Sequence, residues 1–192
     1  LRGKRVVVVG GGASAIQLVP AIAPEVGKLA VFQRTPSWII PKPDYEIGET
    51  EKSIYRALPF VQRLRRTIIY ALTEGFGAGI VFNTPVTSAL ERLARWNIER
   101  SIKDPELRRK VTPDYRFGCK RMLISNDWYP ALTRDNVELV ASGVTKITPT
   151  GVIAQGKEYE ADVIIYATGF EVPKAGSPFP IKGARGHDLN ND

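Results

Sequence analysis

Near the start of this chain four valines run into three glycines: Val6 to Val9, then Gly10, Gly11 and Gly12, then Ala13, Ser14 and Ala15. A short β-branched run without polar interruption suits a strand buried on both faces, as in a parallel sheet. Glycines directly after it allow a tight turn. Residues 13–22 then continue as a helix, which Pro20 kinks or shortens. Residues 29–33 read as a second strand. Strand, glycine turn, helix and strand in about thirty residues have the length of a βαβ unit. Parallel neighbours need such a crossover, so the chain is committed to an α/β fold.

The spacing Gly10-x-Gly12-x-x-Ala15 is the GxGxxA form of a dinucleotide-binding turn. The first glycine permits the turn, the second lets backbone approach a pyrophosphate, and the small third residue lets helix and strand pack closely. The helix N-terminus then offers free N–H groups and a partial positive charge. The cofactor is narrowed by the end of the second strand. A site for NAD places a carboxylate there to bond the ribose 2′-hydroxyl. This chain has Gln33-Arg34-Thr35 instead. Nothing repels a 2′-phosphate, Arg34 can grip one with forked, charge-assisted bonds, and Thr35 adds a hydroxyl. The expected cofactor is NADP(H).

Beyond a proline-rich loop at 36–43, residues 49–110 change character. Leu58, Val61, Leu64, Ile68 and Leu72 recur at spacings of three and four, and Ala89, Leu93, Trp96 and Arg100 follow in a second helical stretch. Asp104-Pro105 reads as a helix start, with Asp as cap. Residues 114–124 read as loop and short strand, 137–140 as a strand, and 144–148, 152–155 and 157–160 as a small β-meander. Residues 162–167 are the last strong strand, ended by Gly169. The fold class is a Rossmann-like, three-layer nucleotide-binding domain with a helical insertion and a small β-meander. The division is 1–48 and 111–170 for the nucleotide domain, 49–110 for the insertion and 171–192 for a linker.

Charge excludes little. The net charge of +7 admits nucleic acid, a membrane surface or a phosphorylated ligand. The basic clusters Arg63-x-Arg65-Arg66 and Arg108-Arg109-Lys110 read as solvated helix faces without interleaved aromatics, so no nucleic acid is expected. Residues 67–85 form the only membrane-like window, but Thr73, Glu74, Gly75, Gly77, Gly79 and Asn83 interrupt it. That stretch reads as a helix buried or covering a pocket, and no membrane span is expected. Cys119 is the only cysteine, so an intrachain disulfide is impossible, and a cytoplasmic protein is the expectation.

The order of motifs adds a resemblance. GGGASA, QRTPSWIIP, a helical stretch, Phe117-Gly118-Cys119-Lys120-Arg121 and ADVIIYATGF follow one another along nearly the whole chain. Together they resemble the nicotinamide-binding half of Baeyer–Villiger monooxygenases and related class B flavin monooxygenases. The resemblance implies FAD and NADPH as cofactors, with hydride passed to flavin and one oxygen atom of O2 inserted into a ketone to give an ester or lactone. It places Gly10, Gly12, Ala13, Ser14 and Gln17 at the pyrophosphate turn, Ala15 on its third position, and Arg34 and Thr35 at the 2′-phosphate. Lys120 falls on a second basic residue reaching the NADP phosphate. Arg121 falls on the active-site arginine, which stabilises an anionic peroxyflavin and holds the nicotinamide. A guanidinium suits that task because it stays protonated. In an extended segment Lys120 and Arg121 would point to opposite sides. The Ala167-Thr168-Gly169-Phe170 end closes the nucleotide domain, with Thr168 and Gly169 near cofactor.

The FAD fingerprint of that family is absent from these residues, as is its FxGxxxHxxxWP signature. The expectation is therefore a piece of a longer chain, inactive alone, whose partner is the FAD domain of the same parent. His187, the only histidine, reads as a surface residue, and no metal set is evident. An N- or S-oxygenating flavin enzyme is an alternative, against which the helical stretch and FGCKR argue. A non-catalytic NADP-binding module is another.

Overall fold

The computed structural model describes residues 1–82, 84–169 and 179–188. The expected linker falls mostly outside them (171–178 and 189–192), as does Phe170. In chain order the first elements are β1 (Arg5–Val9), α1 (Ala15–Ile22), β2 (Lys28–Phe32) and β3 (Ile39–Ile40). Four helices follow: α2 (Glu49–Ala57), α3 (Pro59–Val81), α4 (Pro85–Ser101) and α5 (Pro105–Val111). Then come β4 (Leu123–Ile124), α6 (Trp128–Leu132), β5 (Val137–Val140), β6 (Lys146–Ile147), β7 (Gly151–Ala154), β8 (Lys157–Glu160) and β9 (Val163–Tyr166).

The valine run is a central strand of a parallel sheet in the order β5-β2-β1-β9. Successive side chains point to opposite faces, and both faces are covered. Val6 and Val8, with Leu29, Val31 and Leu139, pack under α1 and α6, and Ile98, Ile102 and Val111 extend that layer. Val7, Ala30, Phe32 and Val140 pack against Val152, Ala154 and Tyr159 of the antiparallel β6-β7-β8 meander. Tyr159 meets Phe32 edge to face at 5.0 Å. The result is helices, sheet and meander in three layers, the α/β class expected from sequence.

A third, smaller core joins the helical region to the sheet. Trp38, Leu90, Ala94 and Phe117 are buried together, and the Trp38 indole donates to the Tyr115 carbonyl at 2.9 Å. Here β3 pairs with β4 in parallel, inside the segment that reads as proline-rich loop. Trp38, Trp128 and Tyr129 are core residues.

Four local expectations need correction. α3 is not buried: of its residues only Gly79 is, and Phe60, Leu64, Ile68 and Leu72 stand exposed. The basic clusters are not wholly solvated faces. Arg65 is held by Glu51 and the Tyr45 and Tyr55 hydroxyls, and Arg108 donates to the Ile102 carbonyl at 2.8 Å. α1 begins at Ala15 rather than 13, because residues 13 and 14 belong to the turn. Lys120 lies in a bend, not an extended segment. No helix among the described residues is long and apolar enough to cross a membrane.

Candidate functional site at the C-terminal edge of the sheet

Ligands of open α/β sheets bind outside the carboxyl ends of the strands. Four strand ends meet there in this molecule: Gly10 after β1, Gln33 to Thr35 after β2, Ala141 to Gly143 after β5 and Ala167 to Gly169 after β9.

Each glycine of the turn does something different. Gly10 has φ +127°, and a Cβ there would lie 2.1 Å from the Ala167 carbonyl oxygen, so the end of β9 closes on the turn. Its N–H donates to Phe32 at 2.9 Å, which ties the turn to β2. A Cβ on Gly11 would sit 2.6 Å from the Gln33 side chain. At Gly12 a Cβ would meet nothing within 4 Å, so its backbone faces open space. Ala15 is fully buried against the sheet. The tight turn, the open approach and the close helix packing that the spacing predicts are all present in the backbone.

The turn leaves donors free. Ile16 N–H bonds to Gly12 at 3.1 Å and Leu18 N–H to Ser14 at 3.0 Å. The N–H groups of Gly12, Ala13 and Ser14 have no acceptor among the described residues. The Ser14 hydroxyl makes no capping bond, and Gln17 folds back to donate to the Ala13 carbonyl at 2.7 Å. Such a cluster of N–H groups at a helix start fits an anion. Gln33 adds a buried side-chain oxygen without a partner, next to Gly11.

Two cavities flank this edge. The first, about 570 Å³, is lined by Arg34 and Thr35, the end of β5, residues of α5, and Gln155 and Tyr159 of the meander hairpin. Gly143 makes room for Arg34, since a Cβ there would lie 3.1 Å from the arginine Cδ. The second, about 470 Å³, is lined by Ala13, Ile16 and Gln17 of the turn and α1, by Arg121, and by residues 122–127. Lys42 and Asn126 close it by exchanging two 3.0 Å bonds between side-chain amide and backbone.

The structure thus groups Arg34 with Thr35, and Arg121 with Ala13 and Gln17. Lys120 joins neither cavity. Its ammonium lies 4.7 Å from the Tyr115 ring centre. Burial pushes the Tyr115 phenol up, so it stays a neutral donor to the Pro36 carbonyl at 2.9 Å. Thr168 is exposed, and a Cβ on Gly169, at φ +95°, would meet nothing within 4 Å among the described residues. Sequence reasoning missed Gln33 and the α5 wall of the first cavity. Gln33 adjoins a motif and could have been found. The α5 wall depends on tertiary placement and could not.

No family model matches the chain. Over 98% of its length the chain is 49% identical to a Baeyer-Villiger monooxygenase of Pseudomonas aeruginosa, of which it covers 36%. Among solved structures, the polycyclic ketone monooxygenase of the fungus Thermothelomyces thermophila aligns with the whole chain at TM-score 0.82 and 26% identity, the match covering 38% of that protein. OTEMO in complex with FAD and NADP aligns over 88% of this chain and 38% of its own, at TM-score 0.69 and 29% identity. The chain therefore spans a little over a third of the length of these relatives, and it is a homologue of one segment of the Baeyer–Villiger monooxygenases.

Proposed function

We propose that this chain is the NADP(H)-binding part of an FAD-dependent monooxygenase that reduces its flavin with NADPH and places one atom of O2 into a ketone. The observation that carries the reading is the shared sheet edge, where an open glycine turn with free N–H groups stands beside Arg34 and Thr35. The relatives and the OTEMO complex with FAD and NADP support it.

The residues fit the nucleotide. Gly12, Ala13 and Ser14 would hold the pyrophosphate through backbone N–H groups, with Gly10 and Ala15 setting the turn and Gln17 bordering it. Arg34 and Thr35 would take the 2′-phosphate. Thr168 and Gly169 stand where β9 closes on the turn and would border the same nucleotide. When bound, NADPH supplies a hydride and flavin supplies oxygen activation. Arg121, in the cavity beside the turn, would hold a fixed positive charge at the nicotinamide end. Lys120, packed on Tyr115, would need to swing away from that ring to reach a phosphate. We place the flavin in the part of the relatives' length that this chain does not span. We also assign residues 49–110 to an insertion within the nucleotide domain, and the whole to the cytoplasm.

Titration with NADPH and NADH tests the cofactor. NADPH binds more tightly, and Arg34→Ala weakens it roughly 10- to 100-fold, the worth of charge-assisted bonds to a phosphate, while NADH binding changes little. Equal affinity for both nucleotides in the unmodified protein overturns the assignment. For the reaction, the full-length protein is screened against ketones while NADPH consumption and ester formation are followed together.

A further inference from the structure

We propose that Arg109 on α5 is a further cation of the 2′-phosphate site, beside Arg34 and in addition to Lys120, reaching from the helical region across the cleft to share that phosphate with Arg34. The inference rests on the NADP(H) reading above and adds a residue to it.

Asp104 caps α5 by accepting from the N–H groups of Glu106 at 2.9 Å and Leu107 at 3.2 Å, and Pro105 starts it. Val111 is buried in the main core, and Arg108 turns inward to the Ile102 carbonyl. With those two residues fixed inward, Arg109 and Lys110 line the cavity that Arg34 and Thr35 line from the other side.

Charge then separates the two basic residues. The cavity holds three cations, Arg34, Arg109 and Lys110, and three carboxylates, Glu106, Asp114 and Glu138. Lys110 is paired with Glu106 at 2.8 Å, and Glu138 faces Lys157 of the hairpin at 3.6 Å. Arg34 and Arg109 have no carboxylate within 4 Å among the described residues. Two unneutralised guanidinium groups thus border one cleft, opposed by Asp114 alone. A phosphate monoester carries nearly two negative charges near pH 7 and accepts forked bonds from more than one arginine. The ribose 2′-hydroxyl of NAD offers neither charge nor forked acceptor. Arg109 therefore acts on the choice between the two nucleotides.

Affinities of the full-length protein for NADP+, NAD+, 2′,5′-ADP and 5′-AMP test this for the unmodified protein, Arg34→Ala, Arg109→Ala and Arg109→Lys. Arg109→Ala weakens NADP+ and 2′,5′-ADP about tenfold and leaves NAD+ and 5′-AMP within twofold. Arg109→Lys retains part of the loss, since a point charge keeps attraction without the fork. Unchanged thermal midpoints exclude a folding effect at this exposed position. If Arg34→Ala abolishes the preference for 2′-phosphate and Arg109→Ala leaves it intact, the role of Arg109 is overturned while the NADP(H) reading stands. If the unmodified protein shows no such preference, the NADP(H) reading itself falls.

Discussion

β1 and α3 are both apolar in sequence, and they end in opposite situations. In β1, Val6, Val7 and Val8 are at most 1% exposed, sealed by helices on one face and the meander on the other. In α3, Leu64 is 56% exposed and Leu72 55%, although their spacing is that of a helix with a face to bury. Its C-terminal end packs on the third core through Ile80, and farther along it is held by a polar clip, in which Arg65 reaches Glu51 and two tyrosine hydroxyls on and before α2. Arg65 also lies over the Tyr45 ring at 5.1 Å. Periodicity therefore reports that a face is apolar. It does not report whether the same chain covers it.

The largest effects fall where the sheet edge is tightest. Gly10→Ala would place a methyl in the Ala167 carbonyl at a backbone angle that side chains avoid, and costs about 3 kcal/mol or more in urea unfolding. Gly12→Ala meets open space, so it leaves stability within about 0.5 kcal/mol and weakens NADPH binding by crowding the pyrophosphate. Equal destabilisation by both would sink the division of labour between the two glycines. Next, Val8→Ala removes two buried methyl groups and costs about 2 kcal/mol. Leu64→Ala costs under about 0.5 kcal/mol in the 192-residue chain, because that side chain is more than half exposed among the described residues. The same change in the full-length protein sharpens the contrast: a larger cost there shows that α3 is covered by residues beyond these.

How much was legible follows the same line. The valine run, the glycine spacing and the Arg34-Thr35 strand end are local signals, and each lies where local physics puts it. Asp104 and Pro105 likewise mark the start of α5 correctly. The α6 helix and β3 were not legible, since five residues around Pro130 and two inside a proline-rich loop carry no periodicity of their own, whereas β4 ends the segment that reads as loop and short strand. They form because Trp128, Tyr129 and Ile39 are buried by distant elements. The wall that Arg109 adds to the cavity was hidden for the same reason: a basic triplet looks alike on a free helix and on one docked beside β5. Arg65 gave no signal either, because its partners Glu51 and Tyr45 lie 14 and 20 residues away.

The smallest effect concerns the polar counterpart of that clip in the sheet. Arg5 at the start of β1 grips Asp162, just before β9, with a 2.6 Å ion pair, and its backbone N–H donates to the same carboxylate at 2.8 Å. These bonds hold the Asp162 carboxyl down to about 2 from an ordinary 3.8. The folded state thus binds fewer protons than the unfolded one in that interval. The pair stabilises the fold fully above about pH 4, and the contribution is lost as the pH falls through about 2. The thermal midpoints of the native protein and Asp162→Asn therefore separate above pH 4 and converge toward pH 2. The gap is small, since the pair is exposed to solvent and screened by salt. Val8→Ala lowers the midpoint at every pH, because methyl burial does not titrate. A gap for Asp162→Asn that persists undiminished at pH 2 would show that the pair acts through shape, not charge. The β1 edge would then depend on burial alone, and the contrast with the Arg65-held α3 would be wider than drawn.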